Sequence, residues 1–357
     1  MSEIHIGVIG GDGIGPEVTK QAMRVLDAAA EVYGFRVKCT DYPFGSEHYF
    51  ATGQIFPDQD FEEVKGMDAV FLGAIGDPRA PVGMIEYGII AKMRFELDLY
   101  INLRPIKLYD ERLCPLKNKG PEDIDLVIIR ENTEGAYAGM HGFCHKGQAS
   151  EVATQTMVYT RHGVERAIRY AFETARARNR KKKQVTLIDK ANAVRAHDIW
   201  TRTFEIVSRE FPDVSTDHAY IDAACMWMIK NPEWFDVAVT TNLFGDILTD
   251  LAAMLQGGMG IAASGNLHPG RVSLFEPIHG SAPKHAGKNV ASPVAAIMAG
   301  SMLLDYCGQK EAAAGIERAI AELICSGRIK GVGTGDHATS EVGDLVVEEV
   351  RSTTSVS

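Results

Sequence analysis

Short apolar runs alternate along the chain with longer stretches whose apolar residues recur every three or four positions. Residues 4–9 read as a buried strand that runs straight into the glycine turn Gly10-Gly11-Asp12-Gly13-Ile14-Gly15-Pro16-Glu17. A helix is expected over about 16–33, with Pro16 in its first turn and Val18, Ala22, Val25, Leu26 and Ala29 as its apolar stripe. Further strands are expected at 37–42, 69–72, 126–130, 185–188 and 236–240. Helices are expected over about 88–99, near 198–210, and within the small-residue stretch 287–307 that contains Pro293. Strands alternating with helices give an α/β class. Between 138 and 160 the chain is glycine-rich and then alternates through Val152, Thr154, Thr156 and Val158, which reads as a β-hairpin arm suited to oligomerisation.

With 357 residues, 45% of them hydrophobic, the chain can bury a large core, and two domains are expected. A net charge of −10 and a pI near 5.6 argue against nucleic-acid binding, which needs a basic footprint. The one basic run, 176–183, reads as a solvated helix end and loop. Six scattered cysteines without CxxC spacing suit free thiols in a reducing cytoplasm. Residues 4–9 are too short for a signal segment, and no apolar run reaches the ~20 residues of a membrane span.

The stretch Asn242-Leu243-Phe244-Gly245-Asp246-Ile247-Leu248-Thr249-Asp250 sets two carboxylates four residues apart, which stacks them on one helix face. Something cationic should relieve that repulsion, and a hard cation such as Mg²⁺ or Mn²⁺ suits oxygen ligands. Taken alone, the pair fits equally well an acidic first turn complementing the helix dipole. Asp222, earlier on the path to this helix, is a third candidate ligand. Arg94, Arg104 and Arg130 are candidates for binding a substrate with more than one carboxylate, because guanidinium forks hold carboxylates bidentately. Lys190, directly after a strand, and Tyr137 are a candidate acid/base pair. The small-residue loop His279-Gly280-Ser281-Ala282-Pro283-Lys284-His285 would let backbone N–H groups approach a ligand closely. The glycines of 11–15 read GxGxG and not GxGxxG, so a dinucleotide fingerprint is weak there.

These segments, GDGIGPE (11–17), NLRP (102–105), RENTEG (130–135), DKAN (189–192), NLFGDILTD (242–250) and EPIHGSAP (276–283), occur in one order. Together they resemble the β-decarboxylating dehydrogenases, the family of isopropylmalate, isocitrate, homoisocitrate and tartrate/D-malate dehydrogenases, over nearly the whole chain. The resemblance implies a two-domain α/β fold distinct from the Rossmann fold. One domain would comprise 1–102 and 257–357, and a central one 103–256, including the arm at 138–160. It also implies a homodimer with shared active sites and metal-dependent oxidation of a 2-hydroxy acid by a nicotinamide cofactor, followed by loss of the β-carboxylate. Lys190 and Tyr137 would be the catalytic residues, and Arg94, Arg104 and Arg130 would bind the malate carboxylates. Asp246 and Asp250, with Asp222 of the other subunit, would hold the metal. Ile14, the loop from His279 to His285 and Ser292 would bind the cofactor.

Segment 86–94 resembles the isopropylmalate branch, with Ile89 and Ile90 as apolar contacts for the 3-substituent, and it lacks the serine and asparagine of isocitrate enzymes. The form RENTEG is commoner in isocitrate, homoisocitrate and tartrate enzymes, so a sibling acting on another 3-substituted malate is the alternative. A catalytically silent subunit of the same fold would be expected to have lost some of Tyr137, Lys190, Asp222, Asp246 and Asp250. Lys284 and His285 replace an Asp-Ile pair that grips the ribose in NAD-dependent relatives, and Ser292 stands where an Asn is usual. NAD is favoured because the Tyr and Arg of NADP-dependent relatives are absent from 333–338, although Lys284 could pair with a 2′-phosphate.

Overall fold

The computed structural model describes residues 2–180 and 182–352, and the chain divides into two compact units. The first unit collects Met1–Leu99, Lys107–Pro121 and Ala253–Ser357; the second collects Tyr100–Ile106 and Glu122–Ala252. Residues 107–121, expected in the central domain, thus belong with the first unit.

In the first unit the strand order is Arg36–Tyr42, Glu3–Gly11, Ala69–Ala74, Ser273–Pro277, Ala263–Leu267. The first four run parallel, and Ala263–Leu267 closes the series antiparallel to Ser273–Pro277. The helix Gly15–Tyr33 packs against Val294–Tyr306 and Thr339–Ser352, while Lys310–Cys325 packs on Val294–Tyr306. Val294–Tyr306 is apolar almost all round and largely buried, as its small-residue sequence requires of a helix sandwiched between neighbours. It begins only after Pro293, which ends the loop that precedes it.

The second unit has the strand order Ile101–Lys107, Asp125–Glu131, Val237–Thr240, Gln184–Asp189, Ser215–Tyr220. The last four are parallel. Parallel strands are covered on both faces, which accounts for the unbroken apolar runs Leu126–Ile129 and Val237–Val239. Helix Arg161–Arg178 packs against these strands, its start capped by the Thr160 hydroxyl, which accepts from the Gly163 N–H at 3.0 Å. Arg130, Lys190, Asp222 and the helix Asn242–Ala253 all lie at or just past the carboxyl ends of these strands, where open α/β sheets bind ligands. The hairpin His141–Cys144 with Val152–Gln155 pairs antiparallel and is largely exposed.

Three local expectations change. The helix expected over 88–99 begins at Met84 and ends at Glu96, with a wide π-turn over Tyr87–Ala91. Gly88 sits on that turn, where an added Cβ would lie 2.6 Å from the Ile55 side chain. The basic run is not simply solvated. Arg178 is mostly buried and pairs with Asp125 at 2.9 Å and with buried Asp236 at 3.0 Å, and Arg176 pairs with Asp213 at 2.5 Å. Lys181 lies outside the described residues. Finally, Asp246 and Asp250 fall in the interior of Asn242–Ala253, whose first turn holds no acidic residue, so the helix-dipole reading of the pair fails.

Candidate active site

The second unit gathers four of the charged candidates, Arg104, Arg130, Asp246 and Asp250, around one helix face. Asp246 and Asp250 project from Asn242–Ala253, and each is answered by an arginine. Buried Arg130, 3% exposed, donates from Nη1 to Asp246 Oδ1 at 2.6 Å. Its Nε and Nη2 donate to Asn242 Oδ1 at 3.1 and 2.7 Å. Arg104 Nη1 lies 3.8 Å from Asp250 Oδ1, and its Nε donates to buried Asn102 at 2.8 Å. Two like charges at i, i+4 therefore have the cationic relief that their spacing called for. Gly245 makes the arrangement possible, because a Cβ there would sit 2.5 Å from the Arg130 side chain. The hydroxyl of Tyr137 donates to Asp246 Oδ2 at 3.2 Å, with the Arg130 guanidinium 5.9 Å from the tyrosine ring centre. Burial pushes the Asp250 carboxyl up from its ordinary value, with Arg104 pulling it down and Asp246 adding to the rise.

Lys190 and Asp222 form a separate ion pair at 2.6 Å, with the ammonium 5.8 Å from the Tyr220 ring centre. The expected partly apolar surroundings of Lys190 thus contain a carboxylate, and that lysine holds Asp222 below the usual carboxylate range. The turn carrying Lys190 is set by buried Asp189, which accepts from the Ala191 N–H and pairs with His218, both at 3.0 Å. Among the described residues of one chain, no three His, Cys, Asp or Glu side chains are grouped to hold a metal, so Asp222 does not join Asp246 and Asp250 within a subunit.

In the first unit, Arg94 Nη2 meets Glu276 at 3.3 Å while its buried Nε has no hydrogen-bond partner. Arg94 therefore stands in a different unit from Arg104 and Arg130. Ile89 is a correction. With Ile85 and Met93 it forms an i, i+4 stripe that is completely buried in the core, so it packs the unit and leaves the partly buried Ile90 as the candidate contact. The i, i+4 spacing was visible in the sequence, but the π-turn that sets which face it takes was not. Exposed Tyr87, on the same π-turn, was not anticipated.

The loop 279–285 rests on the glycine turn. Ile14 N–H donates to Ser281 O at 2.8 Å, and Gly13, at φ +59°, lets that carbonyl approach to where a Cβ would be 1.9 Å away. Ile14 contributes its backbone, its side chain being buried. Buried Asp12 is structural: its carboxylate accepts from Ser46 and Gly76 N–H groups at 2.6 and 2.8 Å. His279 Nδ1 is 3.1 Å from the Gly280 carbonyl, which accepts its proton, so buried Nε2 is a lone-pair acceptor with no partner. Above Gly280 there is open space. Ala282 has left-handed backbone, Pro283–His285 form a short turn, and Lys284 is exposed. Ser292 bonds the Gly260 carbonyl at 3.3 Å, leaving its hydroxyl partly committed to the backbone.

Residues 5–352 match the family described as isocitrate/isopropylmalate dehydrogenase. The chain belongs to this family. It is 44% identical over 350 residues to a 3-isopropylmalate dehydrogenase of Thermobifida fusca, covering 97% of this chain and 98% of that protein. A 3-isopropylmalate dehydrogenase of Corynebacterium glutamicum is 46% identical, with 98% and 100% covered. Among solved structures, an isocitrate dehydrogenase from Methylococcus capsulatus superposes with a TM-score of 0.87 at 37% identity, covering 98% of this chain and all of that one. A β-decarboxylating dehydrogenase from Thermococcus kodakarensis gives 0.80 at 35%, with 99% and 98% covered. The chain is thus an oxidative decarboxylating dehydrogenase with the fold of this family, whose members are metal-dependent and NAD-linked.

Asn102, Asn242 and Glu131 lie within the sequence motifs, which by themselves give these residues no role. Glu131 is fully buried; its carboxylate accepts from Thr133 N–H and Oγ1, both at 2.7 Å, and from Glu134 N–H at 2.9 Å. Burial outweighs these bonds and pushes its carboxyl from 4.5 up to about 7. The folded state then holds a proton that the unfolded state has released. The contribution to stability is complete below about 4.5 and disappears as pH rises through about 7. Thermal midpoints between roughly pH 5.5 and 8.5 should fall more steeply for wild type than for Glu131→Gln. Parallel curves would show that Glu131 does not titrate there.

Proposed function

We propose that the chain is a 3-isopropylmalate dehydrogenase, oxidising and decarboxylating 3-isopropylmalate to 2-oxoisocaproate in the cytoplasm. The observation that carries this reading is the single face on which Arg104, Arg130, Tyr137, Asp246 and Asp250 converge at the carboxyl end of a parallel sheet. The names of the full-length relatives support the choice of substrate. Arg104 and Arg130 would exchange their present aspartate partners for substrate carboxylates, and Arg94 has an unpartnered donor for the same purpose. Ile90 would meet the isopropyl group. Lys190 would take the C2 hydroxyl proton, and Tyr137 would protonate the enol left after CO₂ departs. Homoisocitrate, isocitrate, tartrate or D-malate would be the substrate of a sibling enzyme.

The donor set suits a hard divalent cation. Asp246 and Asp250 present half-exposed carboxylates on one helix face, and oxygen ligands of this kind select Mg²⁺ or Mn²⁺. Bound there, such a cation would supply Lewis-acid polarisation of the C2 oxygen. The third carboxylate, Asp222, would come from a second subunit. Because Lys190 is paired to Asp222, it would accompany that residue into the same shared site. Exposed Met226, Ile229 and Ile247 on the two helices bearing these carboxylates, together with Phe143 and Val152 of the hairpin, provide apolar surface for a homodimer. The open backbone around Gly280 and the unpartnered His279 Nε2 fit the adenosine part of a nicotinamide cofactor, NAD in preference to NADP.

Steady-state rates with 3-isopropylmalate, isocitrate, homoisocitrate, D-malate and tartrate, each with NAD⁺ and NADP⁺, test the assignment. The highest kcat/KM should belong to 3-isopropylmalate; a higher value for any other acid reassigns the substrate.

Asp246→Asn should abolish turnover with Mg²⁺ or Mn²⁺ while circular dichroism and dimer mass stay as in wild type, because the amide keeps the shape and loses the charge. Near-normal activity at saturating metal would remove Asp246 from the ligand set.

The cofactor preference should be shallow, since an exposed ion pair such as Lys284 with a 2′-phosphate is worth only about 0–1 kcal/mol. Lys284→Asp should repel that phosphate and offer the ribose hydroxyls an acceptor, moving the ratio of kcat/KM values towards NAD⁺ by roughly tenfold or more, about 1.4 kcal/mol. An unchanged ratio at the same ionic strength would mean that position 284 does not face the ribose.

A further inference from the structure

One buried histidine in the second unit touches both groups of candidate catalytic residues. His197 is completely buried, in the turn just before helix Asp198–Ser208. Its Nδ1 accepts from the backbone N–H of Lys190 at 3.0 Å. A backbone amide can only donate, so Nδ1 carries the lone pair and the ring proton lies on Nε2. Nε2 donates to the hydroxyl oxygen of Tyr159 at 3.0 Å. That hydroxyl donates in turn to Met157 Sδ at 3.8 Å. The His197 ring stands edge-on to Phe244 of helix Asn242–Ala253, with ring centres 5.4 Å apart, and to Tyr159 at 5.2 Å. Val158, beside Tyr159, exchanges backbone hydrogen bonds of 2.8 and 3.2 Å with Gly135, two residues before Tyr137.

Three segments thus converge on this pair: the turn bearing Lys190, the turn after Gly135 that bears Tyr137, and the helix bearing Asp246 and Asp250. We propose that His197, with Tyr159, is a positioning residue that holds these three segments in one frame. The proposal rests on the catalytic roles given above to Lys190 and Tyr137. The neutral imidazole is suited to this task because its two nitrogens differ, one accepting and one donating, so a single ring fixes the direction of both bonds. A core histidine serving only to fill space would need neither. Burial favours the neutral form and so preserves the Nδ1 lone pair, with Asp189 working against it. A displacement of about 1 Å in such a frame costs up to ~10² in rate.

The test separates the two nitrogens. In His197→Asn the amide oxygen can take the place of Nδ1 and keep the bond from Lys190, whereas in His197→Gln the longer side chain reaches Tyr159 and abandons Lys190. His197→Phe keeps the edge contacts and loses both bonds. Expected for His197→Phe and His197→Gln is a kcat lower by roughly tenfold to a hundredfold, with the KM for the hydroxy acid within about threefold of wild type. His197→Asn should recover kcat to within about fivefold of wild type. Equal kcat for the Asn and Gln variants, or a loss confined to KM, overturns the proposal. If none of the three variants folds, the residue is holding the unit together and the positioning role is also overturned. The ratios are read with whichever 3-substituted malate the wild-type enzyme oxidises best, so a wrong substrate assignment shows in the wild-type rates and not in this comparison.

Discussion

Much of the candidate site depends on where the Arg130 guanidinium lies. It is buried at the end of the strand Asp125–Glu131 and held by Asn242 and Asp246 from the neighbouring helix. Removing such a charge from water costs several kcal/mol, at an order-of-magnitude level, unless its donors are matched. The match requires a helix that starts close to the strand end and a glycine at its fourth position, because any side chain at Gly245 would occupy the volume of the arginine stem. Once Arg130 is seated, Asp246 has a fixed carboxylate direction, and the Tyr137 hydroxyl has an acceptor within reach.

This arrangement also shows how one helix face can carry two carboxylates at i, i+4. Arg130 and Arg104 stand in for positive charge, one with each aspartate. Side chains that would bind an anionic substrate therefore also neutralise the carboxylates assigned to the cation. Metal and substrate would take over the two halves of these ion pairs together, which leaves neither set of charges exposed alone. Lys190 and Asp222 form a pair of the same kind just past the ends of two adjoining strands.

The first unit uses its charged motif residues differently. Asp12 holds backbone N–H groups of neighbouring loops, and Glu17 accepts from the Asn289 N–H at 2.9 Å and from Gly287, tying the loop after His285 to the first helix. The motif at 11–17 thus shapes the loop 279–287 from beneath, while the buried His279 Nε2 has no hydrogen-bond partner.

Fold class, the principal strands and the family were legible in the sequence, because apolar periodicity and the ordered motifs are local properties of the chain. The i, i+4 aspartates likewise announced a need for positive charge, since helix geometry alone puts them together. Three things were decided only by tertiary structure. The identity of the cation beside each aspartate depends on strands that are more than a hundred residues away in sequence. The burial of Ile89 follows from the phase of a helix with a π-turn, which determines which isoleucine faces the core. The roles of His197 and Tyr159 had no sequence signal, because a lone histidine acquires meaning only from the backbone amide and hydroxyl that folding brings to its two nitrogens. Local pattern specifies which groups are present, whereas long-range packing specifies which of them meet.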